Sequence, residues 1–184
     1  MAVWIIIAIV VLIAIVFVVM YNGLVRLRNR IDEAWSQIDV QLKRRHDLIP
    51  NLIETVKGYA AHERQTLESV VAARNQAIQA QDAGPEQQAQ AENILSGALR
   101  QLFALSEAYP DLKANQNFLS LQEELTSTED RIAYSRQFYN DAVNKYDNKI
   151  ETIPSNIIAG MFGFKGREYF KAEEGASEVP KVQF

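Results

Sequence analysis

The chain has 184 residues, with 23 acidic and 19 basic side chains and a net charge of −4. That is long enough for one cored domain beside an anchor, and the balance is not that of a nucleic-acid binder. Cysteine is absent, which removes disulfides, thiolate catalysis and cysteine-held metals. The charge is unevenly placed: residues 26–45 carry six bases and three acids, whereas residues 46–164 carry nine bases and sixteen acids.

The first element is an apolar run from Val3 to Met20, eighteen residues without a charged side chain. At 1.5 Å per residue it spans about 27 Å, close to a hydrocarbon core of roughly 30 Å. Fourteen of its residues are Val, Ile, Leu or Phe, so insertion is favoured by about 4–8 kcal/mol. Trp4 and Tyr21 flank it, where amphipathic rings prefer to lie. A cleaved signal peptide needs a basic leader and a small-x-small site; here Met1-Ala2 precedes the run, and VVMYNGL at its end offers no such site. The expectation is an uncleaved anchor over residues 1–21 that contacts the lipid bilayer. Arg26, Arg28 and Arg30 favour a cytoplasmic domain and an outside N-terminus.

A long helix follows. Steps of four and three residues pick out Ile31, Trp35, Ile38, Leu42, Arg45, Ile49, Leu52, Val56 and Tyr59, all apolar or aromatic except Arg45. Such spacing makes a seam on one side of a helix that faces other helices. Pro50 lacks an N–H and crowds the carbonyl of His46, which predicts a kink or a restart of the helix there. After Tyr59 the stripe drifts by about a position and continues through Ala60, Leu67, Val71, Arg74 and Ile78; if helical throughout, residues 24–82 form a rod of roughly 90 Å. Gly84 suits a left-handed position past a helix end, and Pro85 suits the first turn of the next helix.

Residues 86–109 form the antiparallel partner, with Ala91, Leu95, Ala98, Leu102, Leu105 and Tyr109 on one face. Asn115 or Asn117 can cap the next helix. Its seam is Phe118, Leu121, Leu125, Thr128, Ile132, Ser135, Tyr139, Ala142, Tyr146, Lys149 and Ile153, and Pro154 ends it. No stretch alternates long enough to form a strand. The fold class is therefore all-α: an N-terminal transmembrane helix, an antiparallel bundle of three to four helices over residues 22–164, and a short, irregular, flexible tail over 165–184. Ile157, Ile158, Met161, Phe162, Phe164, Tyr169 and Phe170 crowd the segment after Pro154. They read as a short docked helix and turn, or else as an exposed patch for a partner or the bilayer surface. Val182 and Phe184 fall on one side of an extended stretch that can add to a partner's sheet edge.

Candidate chemistry is sparse. His62-Glu63 opens like a zinc-protease motif, yet Thr66 stands where the second His belongs. A di-iron bundle needs Glu-x-x-His twice, but Lys43 and Tyr59 stand where the glutamates before His46 and His62, the only two histidines, belong; both histidines read as surface or seam-edge residues. GMFGFKG lacks the strand and the Lys-Ser/Thr of a phosphate loop. Arg45 with nearby Asp47, facing Arg131 and Arg136 on another helix, reads as interhelical salt bridging that sets register, with a ligand site as the alternative. No catalytic, cofactor-binding or metal-binding residue is assigned, and no cofactor or small-molecule substrate is expected.

The stretches AWSQIDVQLKRRHDLIPNLIETVKGYAAHE, YPDLKANQNFLSLQEELTSTEDRIAYSRQFYNDAVNKYDNKIETIPSN and FGFKGREYF resemble the LemA family of bacterial membrane proteins. The likeness runs over residues 21–170. It implies a single N-terminal membrane helix in the inner (cytoplasmic) membrane, a long antiparallel helical domain, and no established activity. It also implies work beside other membrane proteins, including ones with a TPM domain. The expected function is a membrane-anchored scaffold or adaptor. Its two seams offer more apolar edge than one short hairpin helix covers, so either they pack on each other within one chain or some of that edge joins neighbouring chains, and a homo-oligomer is the expectation. An accessory subunit of a membrane enzyme, or a signalling relay hinged at Pro50, is the alternative.

Overall fold

The computed structural model describes residues 1–171. The reading of Val182 and Phe184 as an edge strand lies outside them. Six helices follow in order: α1 (Ala2–Lys57), α2 (Arg64–Gln79), α3 (Pro85–Ser106), α4 (Pro110–Lys113), α5 (Gln116–Glu151) and α6 (Ser155–Phe162). No strand occurs among the described residues. The chain divides into two compact units, Met1–Ile38 with Ser135–Arg167, and Asp39–Tyr134 with the stretch from Glu168. The long helices α1 and α5 contribute to both.

In the first unit α1 and α5 run antiparallel. The Trp35 ring stands 5.3 Å from that of Tyr139, and Leu24, further up α1, shares a cluster with Ile150 near the end of α5. Ile31 and Ile38 are buried here, as are Tyr139 and Tyr146, while Trp35 is half-buried. Gly163, at φ +68°, ends α6 in the left-handed conformation that glycine adopts without steric cost. Beyond it the chain has no regular structure but is held: the Arg167 N–H donates to Asp147 Oδ1 at 3.2 Å, and its guanidinium meets Asp32 at 3.3 Å.

In the second unit Ile49, Leu52 and Val56 of α1 form a core with Leu67 and Val70 of α2, Leu95, Leu99 and Leu102 of α3, Leu112 of α4, and Phe118 and Leu125 of α5. Leu42 and Ile132 are also buried, and Leu121 packs half-buried against that core. Most positions of the two seams are thus covered within their own units, whereas Tyr59 at the end of the first and Lys149 and Ile153 at the end of the second are exposed.

Three expectations need correction. The rod over residues 24–82 is interrupted, because α1 stops at Lys57 and α2 starts at Arg64. Gly58 favours an exit from helix, and the N–H groups of Tyr59 and Ala60 both close on the Val56 carbonyl, at 3.0 and 2.8 Å. Tyr59 consequently leaves the seam and is exposed. Second, α2 buries Leu67, Val70, Ala73 and Ala77, leaving Val71 and Ile78 exposed. The phase of α1 does not carry across the turn, and alanines on α2 and α3 let the two helices approach closely. Third, Gly84 at φ +99° does not end α2 but precedes α3, with Pro85 in its first turn. Positive φ still requires glycine there.

The start of α5 is as expected, since Asn115 Oδ1 accepts the Phe118 N–H at 3.0 Å. Asn115→Ala should lower stability by about 1 kcal/mol, measurable as a shift in the urea midpoint; an unchanged midpoint would show that the cap contributes nothing.

Candidate functional site: a buried charge cluster beside Pro50

Four helices of the second unit bring ionisable side chains together beside Pro50. Arg45 and His46 come from α1, Arg74 from α2, Glu92 and Ser96 from α3, and Glu129 from α5. Arg45, Glu92 and His46 are 1–3 % exposed, whereas the Glu129 side chain is about half-exposed. The cluster therefore begins in the core and opens to the surface at one carboxylate.

Arg45 holds it together. Its Nη2 pairs with Glu92 Oε2 and lies 3.3 Å from the Glu92 carbonyl; its Nη1 donates to Ser96 Oγ at 2.9 Å and to Glu129. The other Glu92 oxygen lies 2.8 Å from His46 Nε2. An ionised carboxylate only accepts, so His46 Nε2 carries the donated proton. Ser96 Oγ in turn donates to Glu129 Oε1 at 3.1 Å. The planar guanidinium can bridge three helices because its N–H groups diverge in a fixed fork, a geometry that an ammonium lacks.

Arg74 performs a separate task. Pro50 has no N–H, which leaves the His46 carbonyl without its helical donor. Arg74 Nε donates to that carbonyl at 2.7 Å. The helix runs unbroken through Pro50, so the restart entertained from the sequence does not occur. An unpaired buried carbonyl costs about 1–3 kcal/mol, and a cation from α2 meets the need.

Three assignments from the sequence change. Asp47 is not the partner of Arg45: it is exposed, because residues two apart on a helix point to different sides. Arg131 is exposed and Arg136 half-buried, and Glu92 and Glu129 supply the opposite charge instead. His46 is buried rather than at a seam edge, while His62 is exposed. The sequence reading missed Glu92, Ser96 and Glu129 altogether.

Burial is the largest single influence on Glu92 and favours its neutral form. The hydrogen bonds and charges of His46 and Arg45, all four acting together, outweigh burial and hold the carboxyl below its ordinary value. A lowered folded-state value means the contribution is complete above the unfolded value of 4.5 and is lost as pH falls through the folded value. Stability should therefore decline on acidification below that point, with Glu92→Gln flattening this part of the profile. Urea midpoints measured across the acid range check it; an equally steep profile in the variant would place the dependence elsewhere.

Chemically, the arrangement binds helices. Every polar atom of the Glu92 carboxylate is engaged by the protein, and Ser96 Oγ is shared between Arg45 and Glu129. Among the described residues no group of three or more His, Cys, Asp or Glu can hold a metal ion.

Comparison with known proteins yields one family and several relatives. The sequence model of the LemA family matches residues 34–184. Magnetosome protein MamQ 2 of Paramagnetospirillum magneticum is 27 % identical, over 88 % of this chain and 68 % of its own length. Protein LemA of Metamycoplasma hominis is 29 % identical, over 86 % of this chain and 72 % of its own. Magnetosome protein MamQ of Magnetospirillum gryphiswaldense is 26 % identical, over 88 % and 68 %.

Proposed function

Because the chain belongs to the LemA family, we propose that it is a membrane-anchored helical scaffold that acts through its surface and carries out no catalysis. The observation behind this reading is a contrast along α1. Its N-terminal apolar window has no residue buried within the chain, whereas from Leu24 onward the seam is covered. An uncovered apolar surface of that length and composition fits the hydrocarbon core of a bilayer. Arg26, Arg28 and Arg30 follow it directly, which favours a domain on the cytoplasmic side of the inner membrane.

The absence of an active centre from this reading rests on how the ionisable groups are used. Buried Arg45, His46 and Glu92 pair with each other, and Arg45 also reaches Glu129, which ties α1, α3 and α5 together. The scaffold presents its outer faces to other membrane proteins and to further copies of itself. Since most seam positions are already covered, self-association uses exposed apolar positions such as Val40, Ile94 and Tyr134.

Photo-crosslinking from these three positions in native membranes tests the proposal. Discrete higher-mass adducts are expected from at least one of them, and they should disappear when the apolar run is removed. Failure to obtain an adduct at any of the three would count against a scaffold. Turnover of a substrate by the purified, metal-free protein would also overturn the reading.

A further inference from the structure

Beyond the apolar run, exposed apolar side chains gather on and beside α6. Ile153 is 82 % exposed, Ile157 61 %, Met161 68 % and Phe162 51 %. Successive members of the set Ile153, Ile157 and Met161 are four residues apart, and Ile157 and Met161 share one helical face. The opposite face is buried: Ile158 and Ala159 pack with Leu24, and Phe17, Met20 and Tyr21 of α1 border the same cluster. Within α6 itself, SNIIAGMF, there is no charged residue.

The position of this helix is set by aromatic contacts inside the first unit. The Phe162 ring lies 4.7 Å from that of Tyr21 and 5.8 Å from that of Phe17. Phe17 belongs to the apolar run that ends at Met20, and Tyr21 follows it. A helix in contact with both residues sits at the level where the run leaves the hydrocarbon. Its uncovered face is therefore continuous with the lipid-facing surface of the run. Basic side chains lie on the aqueous side of this level: Arg28 stacks over Phe164 at 5.6 Å, and Arg26 and Lys165 are exposed.

We infer that α6 is a second membrane contact, lying in the interface of the leaflet next to Arg26 with Ile157, Met161 and Phe162 in the acyl boundary. The occupant of the face is lipid, because the surface it extends is itself lipid-facing and bordered by cations that suit anionic headgroups. The inference rests on the reading of residues 3–20 as the anchor. A helix bedded in this way fixes the tilt of the first unit against the membrane plane, which a lone span leaves free to rotate.

The cysteine-free chain makes the test direct. Single spin labels are placed at Ile157→Cys and Met161→Cys, with Val10→Cys as the reference for the anchor and Ser127→Cys as the reference for water. The full chain is reconstituted in vesicles of phosphatidylcholine and phosphatidylglycerol, and collisions with oxygen and with a water-soluble nickel chelate are compared. The inference requires oxygen-to-nickel ratios at 157 and 161 that are several-fold above that at 127 and lie on the Val10 side. Ratios at 157 and 161 equal to that at 127, with Val10 still lipid-like, overturn it and leave the anchor intact. Shielding of 157 and 161 from both reagents means that protein covers the face and also overturns it. A nickel-accessible Val10 removes the anchor reading and this inference together.

Discussion

Arg45→Ala should cost the second unit about 3–5 kcal/mol, the range for removing one partner from a buried ion pair. The loss comes less from the vanished attraction than from Glu92, left ionised and buried with only His46 beside it. Glu129 makes a smaller contribution, because its half-exposed side chain turns back to water when its partner goes. Arg45→Lys should recover little, since one ammonium cannot reach Ser96, Glu129 and Glu92 at once. The diagnostic variant is the double replacement Arg45→Met with Glu92→Leu. It removes both charges and should regain much of the loss, as apolar substitutes for a buried pair often do. By contrast, breaking the exposed pair of Arg44 with Glu124, 3.6 Å apart and half-exposed on both sides, should change stability by less than about 1 kcal/mol. Denaturant titration of the full chain in mild detergent measures all four variants. An Arg45→Ala variant as stable as the parent would mean that the cluster does not hold α1, α3 and α5 together.

Two aspartates in the apolar run, Val10→Asp with Ile13→Asp, should abolish membrane integration. Each charge at a span centre costs about 2.5–3.5 kcal/mol and removes a favourable residue as well. Two of them cancel most of the insertion energy, which for this run is about 4–8 kcal/mol. The parent should float with membranes after alkaline extraction and the variant should remain in the soluble fraction, its second unit still folded. If the variant floats as the parent does, the run is not what holds this protein to lipid.

The helical seams were readable because periodicity is a local property. Ile31, Ile38, Leu42, Ile49, Leu52 and Val56 are all buried where the four-three spacing places them, and Asn115 and Pro85 marked helix starts by their own chemistry. The register of α2 was not readable, because its buried face is built on alanines while bulkier Val71 and Ile78 point outward. The interruption between Lys57 and Arg64 resets the helical phase by more than the one-position drift that the stripe after Tyr59 suggests. The charge cluster was half legible: a cation at a seam position flagged Arg45 as buried. Its partners lie 47 and 84 residues further along, and no local pattern announces them. Glu92, beside Ala91 in α3, looks like any solvated helix acid until α1 packs on it. The role of Arg74 has a local signal, since a proline in a helix leaves the carbonyl four residues earlier in need of a donor, here that of His46.

Site-directed labelling from outside intact cells tests the anchored arrangement most directly. Single cysteines at Ala2 and at Ser127, exposed on α5, are treated with a membrane-impermeant maleimide before and after permeabilisation. A single span with the helical domain inside predicts labelling of Ala2 in intact cells and of Ser127 only once the membrane is opened. Labelling of Ser127 in intact cells, with Ala2 protected, would contradict it.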